Sequence, residues 1–178
     1  MADPKLEVDA GGAPGPHPER DIWRQSPLRF AGYANELGEA FRPLISHTWV
    51  HASYAVAIAY VLGDTYDKAS AAGRQATARS ESPGPFVLTT ALDVLSWQTI
   101  ASVAVPGFVI NRVVALSGAL LRRAGRQPGI VPTLVGLASV PLIIKPIDHA
   151  TDAVLDASIR PAIERYHAGA GPPASANA

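Results

Sequence analysis

The sequence predicts an all-α fold: a polytopic helical membrane protein with three membrane helices, or four, flanked by amphipathic helices. The main evidence is the apolar stretch 86–121, in which Asp93 and Arg112 are the only full charges. Two shorter apolar runs, 48–63 and 130–144, accompany it, and the mean hydropathy of the chain is positive. Neither a two-residue alternation nor an Asn-Gly hairpin signal favours a sheet. Three apolar runs in one chain therefore indicate a membrane domain.

The N-terminal residues 1–19 are predicted to be disordered, because Gly and Pro dominate positions 11–18. A single helical membrane domain, 20–167, follows. Its first element is predicted to be an amphipathic helix from about Pro27 to Phe41. The apolar positions of this helix are Leu28, Phe30, Ala31, Ala34, Leu37 and Phe41.

The first apolar run, 48–63, is short for a complete span, although residues 43–46 can lengthen it at the N-terminal end. Ala55, Ala59 and Gly63 stand four residues apart in this run. Small residues at that spacing let a second helix approach closely. The alternative is a chance pattern in an alanine-rich chain.

Residues 70–85 are predicted to form a polar linker before the long apolar stretch 86–121. Along that stretch, polar side chains recur every three or four residues and so line one side of a helix. They are Thr89, Asp93, Ser96, Thr99 and Ser102, with Gln98, Asn111 and Arg112 as further polar positions. A charge such as Asp93 at mid-membrane costs about 2.5–3.5 kcal/mol on insertion scales, so we expect it to face other helices or water. The alternative is a soluble helical bundle in which this line of polar side chains faces water. A break at Pro106-Gly107 would make two spans of the stretch.

The third apolar run, 130–144, precedes Pro146, which favours the start of a last amphipathic helix that continues to about Tyr166. Three carboxylates share one face of this helix, namely Asp148, Asp152 and Asp156. They are interpreted as a docking face or a cation site, or as a solvated acidic face in which Asp148 meets the positive end of the helix dipole. Asp156 and Arg160 have the spacing of an ion pair. Residues 168–178 are predicted to be a disordered tail.

Composition excludes several classes of function. The charges of fifteen basic and fifteen acidic residues cancel, so the chain has no excess positive charge with which to bind nucleic acid. There is no cysteine, which excludes disulfides and thiol catalysis. No phosphate loop or nucleophile elbow occurs, and we predict neither enzymatic activity nor a cofactor. His47 and His51 could touch one metal ion, but a zinc site needs at least one more protein ligand, so no metal is expected.

Several ordered motifs between residues 20 and 160 carry a resemblance to a known family. They are Gly32–Arg42, Tyr60–Asp64 with Asp67-Lys68, Trp97-Gln98 with Ala101–Arg112, and Pro141–Asp148 with Asp152, Asp156 and Arg160. Together they resemble the mitochondrial fission process protein 1 family, also called the mitochondrial 18-kDa protein family. The resemblance implies a multi-pass protein of the mitochondrial inner membrane that promotes mitochondrial fission and has no enzymatic activity.

Two functional classes stay open at this point. In the first, the protein is an adaptor or scaffold that contacts the lipid bilayer and proteins of the division machinery, with a homo-oligomer as a further option. In the second, it is a small carrier or channel, or a regulator of inner-membrane ion or proton conductance, because charges at membrane depth often mark ion paths.

An internal duplication is a further hypothesis. Asn35-Glu36 and Asn111-Arg112 each follow a glycine–aromatic pair. Two similar helical halves would then pack together, with Glu36 paired to Arg112. The alternative is weak similarity that arose by chance.

Overall fold

A computed structural model describes residue 23 and residues 27–169 of the chain. This part is helical and contains no strand, which confirms the all-α class. The predicted disorder of residues 1–19 lies outside the described residues. The same holds for the predicted tail 168–178, except that residues 168 and 169 form the end of the last helix.

The chain forms six α-helices within the described range. A 3-10 helix, Pro27–Tyr33, leads into α1, Ala34–Phe41. The other elements are α2 (His47–Ala78), α3 (Pro83–Gln98), a π-helical segment (Thr99–Ala104), α4 (Val105–Arg123), α5 (Val131–Asp156) and α6 (Ile159–Gly169).

Helix α2 is longer than the sequence predicted. It extends through most of the expected linker 70–85, and only residues 79–82 connect it to α3. Four of the last eight residues of α2 are alanine, which has the highest helix propensity. The connection turns at Ser80, whose φ is 60°, and Pro83 then opens α3. The linker prediction was therefore wrong for residues 70–78 and 83–85.

The stretch from α3 to α4 is one continuous helical rod, Pro83–Arg123, which is long and apolar enough to cross a membrane. Pro106-Gly107 does not divide it, because local π-type adjustments of a helix can satisfy the backbone groups that a proline frees. The π-helical segment directly precedes this proline. The stretch therefore supplies one candidate span, and the structure gives no support for a fourth.

Helix α5 continues through Pro141 and Pro146 to Asp156, so the prediction that a new helix starts after Pro146 was wrong. Prolines are tolerated inside apolar helices when neighbouring groups satisfy the freed backbone atoms. The helix ends instead at Asp156, with Ala157 as its C-cap. Asp148 consequently lies in a helix interior and does not meet a positive helix end. Val131–Gly169 is the second candidate span.

Two helices in the described part of the chain are thus long and apolar enough to span a membrane, where the sequence predicted three or four spans. Helix α2, which carries the first apolar run, is not one of them. Its outward side is nevertheless apolar, since Val56, Ile58 and Leu62 are each about half exposed.

Helix α1 lies at the centre of the bundle, against α2, α4 and α5. Ala40 packs with Ile110 and Val114 in the apolar core. Glycine makes this approach possible: a Cβ built on Gly136 would lie 3.3 Å from the Ala40 Cα. The core is small, and polar side chains occupy much of the remaining interior.

Candidate functional site

The first polar cluster surrounds the Glu39 carboxylate, which is buried on α1. Arg42 donates two hydrogen bonds of 2.6 Å to it. Tyr54 of α2 donates its hydroxyl at 3.0 Å, and Asn111 of α4 donates its amide at 2.8 Å. One carboxylate therefore joins three helices.

The surroundings of Glu39 keep it ionised. Burial by itself would raise the pKa of this carboxyl, but the hydrogen bonds from Arg42, Asn111 and Tyr54 outweigh it and hold the pKa below its usual value. Hydrogen bonds to an ionised group are roughly twice as strong as those between neutral groups. The cluster is therefore a fixed charged contact inside the bundle.

Asn35 ties α1 to the π-helical segment. Its side chain is fully buried, and its amide donates to the Val103 carbonyl at 3.2 Å. Gly107 lies beside it and leaves room for both Asn35 and Tyr54, since any Cβ there would overlap the Tyr54 hydroxyl. A π turn rearranges the backbone hydrogen bonds of a helix and often occurs at functional positions.

A second cluster links α2 to the end of α3. The Asp64 carboxylate is fully buried and forms an ion pair with Lys68 at 2.6 Å. Gln98 donates to it at 2.5 Å and in turn accepts a hydrogen bond from Ser102. Gln98 was predicted as a polar position of the long apolar stretch, and this is the partner that the structure gives it.

A third cluster is organised by Arg160 of α6. Its guanidinium donates to Asp93 at 3.0 Å, to Asp152 at 3.1 Å and to Asp156 at 2.7 Å. Trp97 of α3 also donates to Asp152, at 3.0 Å. The cluster holds α6 against α3 and α5, and it brings Asp93 into contact with a neighbouring helix.

The second and third clusters line one polar cavity of 340 Å³. An adjoining cavity of 440 Å³ shares Trp97, Gln98 and Asp152 with it and extends to Glu36 and Asp148. Glu36 is 1% exposed, and one of its carboxylate oxygens has no hydrogen-bond partner. Burial first, and then the charge of Asp148, raises the pKa of Glu36 to about 8.

The predicted pairing of Glu36 with Arg112 was wrong. The Arg112 guanidinium donates to the neighbouring Asn111 and lies over the Phe108 ring, 5.7 Å from its centroid. Glu36 instead faces the carboxylate of Asp148. The carboxylate of α1 that contacts this part of α4 is Glu39, which accepts a hydrogen bond from Asn111. Glu39 lies one helical turn after Glu36, the residue that the sequence pattern had indicated.

Among the helices that the structure describes, the small residues of α2 do not form the predicted contact between helices. Ala55 and Ala59 are exposed. Gly63 instead accommodates the Trp23 ring, which a Cβ would overlap. Close approach within the chain uses other glycines, such as Gly38 against Ser53. A contact of Ala55 and Ala59 with another molecule stays a prediction.

The three carboxylates of the predicted docking face have different surroundings in the structure. Asp152 and Asp156 accept hydrogen bonds from Arg160, and the pair of Asp156 with Arg160 has the predicted spacing. Asp148 lines the cavity beside Glu36. Because two of the three carboxylates already bind an arginine of the same chain, the acidic face is only partly open to a partner.

The sequence patterns did not predict the residues that organise the first two clusters. Glu39 and Asp64 are ordinary acidic residues of helical sequences, and only their burial identifies them. Their signal in the sequence was spacing, since Arg42 follows Glu39 by three residues and Lys68 follows Asp64 by four. No group of three or more His, Asp or Glu side chains able to hold a metal ion occurs among the described residues.

Comparison with known proteins gives the family. The family model described as mitochondrial 18 kDa protein matches residues 20–85 and 86–155. This chain belongs to the mitochondrial 18 kDa protein family. The two matched ranges cover the 3-10 helix and almost all of α1–α5, and with them the clusters of Glu39 and Asp64.

Relatives that cover most of the chain agree. A Danio rerio protein named mitochondrial fission process protein 1 is 49% identical over 147 residues, which are 79% of this chain and 87% of that protein. The Homo sapiens protein of the same name is 45% identical over 152 residues, or 80% and 87% of the two chains. The Caenorhabditis elegans protein is 40% identical over 146 residues, or 80% and 88%. No solved structure matches the chain.

Proposed function

We propose that this chain is a multi-pass protein of the mitochondrial inner membrane that promotes mitochondrial fission, without catalysis, as an adaptor or scaffold. The observation that carries the proposal is the shared name of relatives at 40–49% identity, mitochondrial fission process protein 1, over most of their length and of this chain. A family at this identity commonly shares its cellular role.

The arrangement of polar groups supports a scaffold. The charged side chains of the interior bind one another, as Glu39 binds Arg42 and Asp64 binds Lys68. Exposed apolar side chains cover much of the outside, among them Trp49, Leu88, Leu116, Leu134 and Leu142. Such a surface fits lipid and helical partners, because a soluble monomer rarely exposes large apolar patches.

The test is the length of the mitochondrial network in cells depleted of this protein and complemented with the full chain. We expect depletion to elongate the network and the wild-type chain to restore it. A network of normal length in depleted cells would contradict the proposal. Fractionation of the complemented cells, with extraction of the membranes at alkaline pH, tests whether the chain is integral to the inner membrane.

A second candidate function rests on the two adjoining polar cavities, which place Asp93, Asp152 and Glu36 along one crevice. Such a crevice could handle ions or protons across a membrane. Asp93→Asn separates the two functions: a conducting path should lose flux in reconstituted vesicles, while a scaffold should still restore the network. Asp67→Asn is the matched control, since Asp67 is an exposed carboxylate of α2 outside both cavities.

A further inference from the structure

Glu36 is a buried carboxylate at the junction of two cavities. It lines the polar cavity of 440 Å³ and also an apolar pocket of 270 Å³, and the two share Tyr33 and Ile144 as further lining residues. The Glu36 side chain is 1% exposed, and one of its oxygens has no hydrogen-bond partner. A buried acceptor without a donor is costly. The junction therefore favours a ligand that supplies N–H donors.

The charges that line the polar cavity favour a cation. Its acidic lining residues are Glu36, Asp148 and Asp152, and Asp152 accepts a hydrogen bond from Arg160. Asp148 lies close enough for its charge to act on Glu36. Among the described residues, no lysine, arginine or histidine lines this cavity. A ligand that carries a phosphate or another anionic group would therefore fit poorly.

Aromatic rings form part of the wall of the same cavity. Tyr33, Tyr60 and Trp97 line it, and the faces of such rings attract cations. Within the described part of the chain, no group of three or more potential ligand side chains is able to hold a metal ion. The volume of 440 Å³ lies in the range of small-molecule pockets, about 300–1,000 Å³. These features favour an organic cation over a metal ion.

The apolar pocket extends the site toward the outside of the bundle. Its other lining residues are Phe30, Leu37, Val140 and Pro141. Phe30 is 66% exposed and Leu37 is 48% exposed, so the pocket is open to the surroundings of the protein. A ligand with its charge at Glu36 can place an alkyl chain in this pocket, where the burial of apolar surface is favourable.

We propose that the two cavities bind a primary alkylamine, with its ammonium group at Glu36 and its alkyl chain in the apolar pocket. A primary ammonium group carries three N–H donors, so it can satisfy the unpartnered oxygen of Glu36 and offset the nearby charge of Asp148. A quaternary ammonium group has no such donor, and an alcohol has no charge to offset the carboxylates. The proposal does not depend on the role in fission.

The full chain, purified in detergent, is titrated calorimetrically with octylamine at about pH 8.5, where an alkylammonium stays protonated like a lysine side chain. Burial raises the pKa of Glu36 to about 8, so its carboxyl group is mainly ionised under these conditions. The test variant is Glu36→Gln. The control, Glu81→Gln, removes the same charge from the exposed connection between α2 and α3, outside both cavities. We expect Glu36→Gln to lower the affinity for octylamine about tenfold or more, and Glu81→Gln to lower it less than about twofold.

A second pair of variants leaves every charge in place. Ile144→Trp narrows both cavities, whereas Leu142→Trp places the same ring at a site that is 73% exposed and lines neither cavity. We expect only Ile144→Trp to weaken octylamine binding. Octan-1-ol and trimethyloctylammonium should each bind the wild-type chain at least about tenfold more weakly than octylamine does. Equal losses in either pair of variants, or equal binding of octan-1-ol or trimethyloctylammonium, would overturn the proposal.

Discussion

At the scale of single residues, Glu39 shows how a charge is kept inside an apolar bundle. Its two carboxylate oxygens accept hydrogen bonds from Arg42, which directly follows α1, and from residues of α2 and α4. The charge that burial penalises therefore becomes the contact that fixes three helices. A buried ion pair adds little net stability by itself, but removing one partner leaves an uncompensated charge and is costly.

Asn111→Ala should therefore destabilise the protein by about 1–3 kcal/mol, because the buried Glu39 carboxylate loses one of its donors. The measurement is the free energy of unfolding in mixed micelles. Gln75→Ala is the control, since Gln75 is an exposed amide on α2 and should change stability by less than about 0.5 kcal/mol. Equal effects of the two substitutions would contradict this account of the cluster.

Glu36 behaves in the opposite way to Glu39, because it is buried with an unpartnered oxygen and faces Asp148. Its pKa is raised from 4.5 to about 8, so the folded chain holds a proton here that the unfolded chain has released. Between about pH 4.5 and pH 8 this group makes stability fall as pH rises. Both Glu36 and Asp148 line the 440 Å³ cavity.

Glu36→Gln should remove this dependence. We expect the variant to unfold at nearly constant denaturant concentration from pH 5 to about pH 8, while the wild-type chain weakens over the same interval. At pH 8 and above the variant should be the more stable of the two. Parallel pH profiles of variant and wild type would show that Glu36 titrates normally. Glu39 does not affect the difference between the two pH profiles, because it is present in both chains.

At the scale of secondary-structure elements, α6 is attached by few contacts. Arg160 binds Asp93 and Asp152, and His167 near the end of the helix lies 3.0 Å from the Thr89 hydroxyl and stacks on Phe86. No residue of α6 is buried. Its position therefore depends on polar contacts at two points rather than on a packed apolar face.

Arg160→Gln should release α6. We expect amide hydrogen exchange across residues 159–169 to become faster by about tenfold or more, with exchange in α1 unchanged, because a weakly packed element opens independently of the core. Arg165→Gln is a matched control on the same helix, since Arg165 donates only to the Pro161 carbonyl. The same acceleration in both variants would mean that Arg160 does not hold the helix.

Local sequence patterns predicted most of the helices but not where each helix begins and ends. The periodicity and the apolar runs predicted helices, because both are local properties of the chain. The continuity of α5 through Pro141 and Pro146 was not predictable, since proline ends most helices and only the surrounding bundle decides otherwise. The π-helical segment has no composition signal and is recognised only from backbone geometry.

The candidate site was predictable to a similar degree. Asp93, Gln98 and Asn111 stood out because they are polar residues within an apolar stretch, and each contacts another helix in the structure. Their partners Glu39 and Asp64 did not stand out, because charged residues in helices of mixed composition are ordinary. Arg160 was predicted as a partner of Asp156 but not of Asp93. Tertiary packing decides which of these partners each polar residue of the apolar stretch contacts.

At the scale of the whole molecule, the two ends of α2 lie at opposite ends of the bundle. The turn before α2 borders the same groove as the α4–α5 loop, since Pro43 and Pro128 both line it. The connection after α2 lies at the far end of α3, where Gly73 packs against Val87. If Pro83–Arg123 crosses the membrane, α2 must run beside it through the same layer.

This geometry predicts three crossings rather than two, although α2 is less apolar than the candidate spans. The chain has no native cysteine, so single cysteines can be introduced at Ser46, Ser80 and Gln127 and labelled in sealed inner-membrane vesicles with a membrane-impermeant maleimide. We expect Ser46→Cys and Gln127→Cys to be labelled from one side and Ser80→Cys from the other. If Ser46→Cys and Ser80→Cys were labelled from the same side, α2 would lie outside the bilayer. The exposed face of Val56, Ile58 and Leu62 would then need a partner other than lipid.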